Sequence, residues 1–234
     1  MTAKRGFSHV EAIISFVIFI AFLVFAFVFF SPFQSGRTLR STSDYAWREV
    51  AGATEQPLEI YSVVIGTLIP VGNIGITIPG VPAGISATVE PSNGNPIDSY
   101  TDSSGIVYFL KPSNNFVRIK YSAGFLAGSP ISGVILNNAD YEISSSETKK
   151  IRFEHLFNDL KTNYLNDYAG LKQQFNLPNR VQFGFSVRFA DGSEILASKD
   201  IPDNAEVLSR TDRVEIVRMP SGKLEYADVG VFVW

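Results

Sequence analysis

From Ala12 to Phe30 the chain carries no charged residue, and fifteen of those nineteen positions are Ile, Phe, Val or Leu. A helix over this run would reach about 28 Å, close to the ~30 Å hydrocarbon core of a bilayer. At roughly −0.3 to −0.6 kcal/mol each, its apolar side chains favour lipid by about 5–9 kcal/mol. The pattern therefore predicts one N-terminal transmembrane helix. Lys4 and Arg5 precede it and place the N-terminus in the cytoplasm, with everything past Ser31 extracytoplasmic. Pro32 then interrupts the helix, and Gly36–Val50 reads as a helical continuation or a linker.

From Leu58 the pattern changes to that of β-strands. Leu58–Leu68 is rich in Val, Ile and Tyr, and short apolar stretches follow, broken by Gly75, Pro79, Gly80, Pro82 and Gly84. Pro91–Pro96 is a turn cluster, and Gly105–Leu110 and Phe116–Ser122 read as a hairpin. Ile151–Phe175 switches to helical spacing: Phe153, Phe157, Leu160, Tyr164, Tyr168, Leu171 and Phe175 share one face, and Leu177-Pro178 ends it. Four strands are predicted after it. Val181, Phe183, Phe185, Val187 and Phe189 alternate strictly with Gln182, Gly184, Ser186 and Arg188, and Asp191-Gly192 turns the chain back. A second hairpin folds over Pro220-Ser221-Gly222 and runs apolar to Trp234. The fold class expected is α+β: a transmembrane helix, then an extracytoplasmic β-rich head. That head comprises a β-sandwich-like part and one amphipathic helix packed on an antiparallel sheet.

Composition removes several function classes. The chain has 234 residues, a net charge of −3 and no cysteine, so no disulfide stabilises the head and no basic footprint marks it for nucleic acid. His9 and His155 are its only histidines, which leaves thiol catalysis excluded and histidine metal sites starved. His155 beside Glu154 reads as a solvated or capping side chain. Asp191–Glu194 and Thr101–Gly105 offer oxygens, but neither has a full calcium ligand series and both read as turns. No catalytic set, metal or cofactor is predicted, and the chain does not read as an enzyme.

The chemistry lies at the start. Lys4-Arg5-Gly6-Phe7-Ser8-His9-Val10-Glu11 places two basic residues, a glycine, a phenylalanine and a glutamate directly before the apolar run. A carboxylate beside such a run is costly in lipid and calls for a partner. Over about its first thirty residues the chain resembles the type IV pilin-like family with its class III signal peptide. The resemblance implies cleavage by a prepilin peptidase between Gly6 and Phe7, with Lys4 and Arg5 as the basic part of the leader. It also implies that Phe7 becomes the new N-terminus and that Glu11 pairs with the N-terminal amine of a neighbouring subunit. The partners implied are the membrane, the peptidase and other pilin subunits through the N-terminal helix. The cysteine-free head is similar to that of an archaeal-like minor pilin or pseudopilin. The implied layout is a leader at 1–6, a membrane and filament-core helix at 7–31, an extension or linker at 32–57, a β-rich domain at 58–150 and a helix-plus-sheet domain at 151–234. The protein would pass from a single-pass membrane state to a cell-surface filament. The competing reading is a single-pass anchored surface protein whose β domains bind a ligand and never polymerise.

Overall fold

A computed structural model describes residues 9–30 and 34–234. His9–Phe30 form helix α1, and Gln34–Thr54 form helix α2. Among the described residues no helix is long and apolar enough to cross a membrane. This corrects the expected fold, in which Ala12–Phe30 spans the bilayer.

The polar stretch after Pro32 is helical rather than a linker. Ala46, Trp47 and Val50 are buried, and Leu39 packs beside them, so α2 lays one stripe on the head. Its last residue, Thr54, turns its hydroxyl back onto the carbonyl of Val50 at 2.8 Å. Strand β1 (Glu55–Ile65) follows without a loop. The chain then forms β2 (Asn73–Thr77), β3 (Ala87–Pro91), β4 (Ser99–Thr101), β5 (Ile106–Leu110), β6 (Phe116–Tyr121), β7 (Val134–Ile135) and β8 (Tyr141–Phe153). Helices α3 (Glu154–Asn166) and α4 (Tyr168–Gln174) come next, and β9 (Phe183–Phe189), β10 (Glu194–Ala197), β11 (Leu208–Val217) and β12 (Leu224–Val233) complete the chain.

Twelve strands make two sheets, ordered β10-β9-β12-β11-β8-β1-β6-β3 and β4-β5-β2-β7. Here too the expected fold is corrected. A separate sandwich followed by an antiparallel sheet is not what forms, because one curled sheet runs through both regions. Its two halves meet where β11 lies parallel to β8 over only Ile216↔Arg152 and Val217↔Phe153. The single amphipathic helix is also replaced. Ile151 and Phe153 end β8, where their alternation suits a strand as well as a helix, and both are buried with Leu58, Phe125 and Val217. Asp167 then breaks the helix. Its carboxylate accepts the N–H of Gly170 at 2.9 Å and caps α4 as a new helix.

Two larger cores flank the junction. Phe183, Phe185 and Val187 of β9 and Val229, Val231 and Val233 of β12 pack under α2, α3 and α4. Each such side chain stabilises the fold by roughly 1.5–3 kcal/mol through burial. The other core lies between the sheets, where Val63, Val117 and Ile119 meet Ile74, Ile76 and Phe109.

Candidate assembly surface

Helix α1 is apolar in sequence on every side, and none of its described side chains, 11–26, joins any of the three cores. Ten of its large apolar side chains are 41% to 64% exposed, with Phe16 and Phe22 both at 64%. A helix apolar all round belongs in an apolar setting. Covering these half-exposed side chains would release on the order of 10 kcal/mol. That is far more than one helix gains from its own backbone hydrogen bonds in water.

Glu11 stands in the first turn of α1, exposed, where a carboxylate complements the helix dipole. Lys4, Arg5, Gly6 and Phe7 lie outside the described residues. The structure therefore places Glu11 at the mouth of the apolar helix and leaves the leader motif as a sequence expectation.

What fixes the head to its helical stalk is α2. Asp44 pairs with Arg210 of β11 at 3.2 Å, and Arg210 also holds Asp212 at 2.9 Å. Trp47 is bracketed by two guanidiniums, Arg210 at 5.0 Å and Arg152 of β8 at 5.8 Å from the ring centre. Arg152 in turn binds Glu55 at 2.8 Å. These residues form a polar collar around one buried tryptophan at the point where the halves of the large sheet meet. Sequence reading missed it, because Asp44 and Trp47 are more than a hundred positions from Arg152 and Arg210. The only local signal was a Trp among polar residues on a helix face.

The residues examined for chemistry take structural places. Asp102 accepts the N–H groups of Ser104 at 2.8 Å and Ile106 at 2.9 Å, closing a turn. Asp191 accepts from the backbone and hydroxyl of Ser193, and these bonds hold its carboxyl below the usual range. His155 differs from expectation: its Nδ1 is buried without a hydrogen-bond partner, and its ring packs edge-on to Phe153 at 5.7 Å. Among the described residues, no group of three or more His, Cys, Asp or Glu side chains could hold a metal ion. No protein-family model, curated protein or solved structure matches the chain.

Proposed function

We propose that this chain is a structural subunit, a minor pilin or pseudopilin, of a type IV pilus-like filament. The observation that carries the reading is α1: an apolar helix whose large described side chains lie half exposed outside the three cores, with one carboxylate in its first turn and a folded head behind it. Copies of α1 packed together bury the apolar surface. Cleavage after Gly6 by a prepilin peptidase leaves the amine of Phe7 four residues from Glu11. In a bundle of helices that ammonium pairs with a neighbour's carboxylate and sets the stagger between subunits, since each charge is tolerated in a low-dielectric core only with the other present.

Co-expression with a prepilin peptidase, followed by mass spectrometry of the product, tests the reading. A chain beginning at Phe7, lost on Gly6→Val, is the expected result. Glu11→Ala should be cut normally and fail to polymerise. An intact Met1, or filaments from the Glu11→Ala chain, would overturn the proposal in favour of an anchored protein that never assembles.

A further inference from the structure

The four-stranded sheet buries one face and turns the other to solvent. Ile74, Ile76, Val107 and Phe109 point into the core between the sheets. The alternate residues point outward, and the ladder sets Tyr100 opposite Tyr108, and Tyr108 opposite Gly75. Gly75 leaves its place on that face bare, and the ring of Tyr108 lies across it: a Cβ there would meet Cε1 of the ring at 2.8 Å. The ring of Tyr100 is 6.4 Å away, centre to centre, and within 26° of parallel. Beyond Gly75, Ile135 is its partner on β7 and is 53% exposed. Two ladder steps along, on the same face, Asn73 pairs with Leu110, and there the surface drops into a cleft of about 580 Å³. Asn73 and Asp98 supply polar groups to that cleft, and Ile131 lines it as well.

Cross-strand tyrosines usually support a sheet by burying one another. Here both rings remain half exposed, and a glycine, which weakens a strand interior, is what lets one of them lie flat. Flat open rings with negative faces favour ligands that present positively polarised C–H bonds. The polar groups beside them narrow the class. Asp98 is exposed, and Asp102 acts on the hydroxyl of Tyr108, whose pKa is raised by burial and by that carboxylate. Lys111 also lines the cleft, but it is buried and its ammonium donates to Asn115. A strand of phosphates needs a basic groove, so single-stranded nucleic acid does not suit this face.

We infer that this face binds a neutral glycan. The C–H faces of two pyranose units stack on Tyr100 and Tyr108, and the chain continues into the cleft. There its hydroxyls donate to Asp98 and pair with the amide of Asn73. The site lies wholly on the head and does not depend on filament assembly.

The full chain, kept in a zwitterionic detergent without a sugar headgroup, can be tested by affinity electrophoresis. The probes are hydroxyethylcellulose and yeast mannan, with heparin and a twenty-nucleotide oligo-dT as anionic comparators. At least one neutral polysaccharide should retard the protein. Tyr108→Thr, which keeps a strand-forming residue, should weaken retardation about tenfold, as loss of an aromatic anchor does. Gly75→Ala keeps both rings but lifts Tyr108 from its bed, and should weaken it comparably with an unchanged circular dichroism spectrum. No retardation of the folded wild-type chain by either neutral polysaccharide would overturn the inference. So would stronger binding to heparin or oligo-dT, or unchanged retardation of the folded Tyr100→Ala/Tyr108→Thr double variant.

Discussion

Arg218 reaches Glu154 at 3.3 Å, tying the turn between β11 and β12 to the first residue of α3. The same guanidinium lies 3.9 Å over the ring of Phe189 and meets Asp191 at 3.2 Å, while Glu154 accepts the N–H of Met219 at 2.8 Å. The pair is only 20% and 17% exposed, so its loss leaves a largely desolvated carboxylate. Arg218→Ala should lower the unfolding free energy by about 2–3 kcal/mol, below the cost for a fully buried pair because some water remains. Urea unfolding followed by tryptophan fluorescence measures it.

Tyr164 makes stability fall at alkaline pH. Its hydroxyl donates to the carbonyl of Phe183 at 2.6 Å and accepts the N–H of Lys199 at 3.1 Å. Burial, then the neighbouring Tyr168, raises its pKa above the ordinary value of 10.0. The folded state keeps this proton after the unfolded state has released it, so the stabilisation is complete below pH 10 and is lost as pH rises above it. Tyr164→Phe should cost about 1–2 kcal/mol at pH 7 through the lost hydrogen bonds. It should also reduce the alkaline slope by up to about 1.4 kcal/mol per pH unit. Tyr121 is raised by burial as well, yet its hydroxyl has no hydrogen-bond partner. Tyr121→Phe should therefore flatten the slope at no cost near neutrality. Urea titrations between pH 7 and 11 distinguish the two.

Lys120 and Glu90 form a buried pair across β6 and β3, 1% and 8% exposed, with Arg118 at 3.6 Å on the other carboxylate oxygen. Removing one partner of such a pair costs about 3–5 kcal/mol, whereas replacing both with apolar residues is near neutral. The geometry breaks the symmetry between the single variants. Lys120→Met leaves Glu90 with Arg118, whereas Glu90→Leu leaves Lys120 buried alone. Glu90→Leu should be the worse, and Lys120→Met/Glu90→Leu should recover most of the loss. Thermal unfolding of the three chains completes the cycle.

Removing α1 should leave the head intact. A chain starting at Gln34 keeps all three cores, so it should fold and stay monomeric without detergent. Size-exclusion chromatography with light scattering checks this against the full chain, which should require detergent or associate.

Much of the head was legible where burial was one-sided and local. Val181 to Phe189 announced β9 through strict alternation, and the last apolar residues announced β12. The length of β8 was not legible. Ser144, Ser145, Ser146, Glu147 and Thr148 carry no apolar alternation, and all five are exposed. They are strand because β1, some eighty positions away, pairs with Ser145 to Thr148 residue by residue and skips Ser144 at a bulge. The break between α3 and α4 was hidden for the opposite reason. The aromatic spacing runs straight through Asp167, so the period argued for one helix while a single capping carboxylate made two. Of the candidate assembly residues, Glu11 and the apolar run could be read directly, since their signal is composition. The Trp47 collar and the Tyr100–Tyr108 platform could not, because each depends on register between distant strands.

The two-pair contact between β11 and β8 also bears on how the head comes apart. Each half of the large sheet has its own core, and the small cluster of Leu58, Phe125, Ile151, Phe153 and Val217 lies between them. Cooperativity follows packed contacts rather than sheet continuity, so the half under α2 and the half under the small sheet are separate melting units, coupled only at this seam. A sheet that is continuous by its hydrogen bonds is thus two bodies by its thermodynamics.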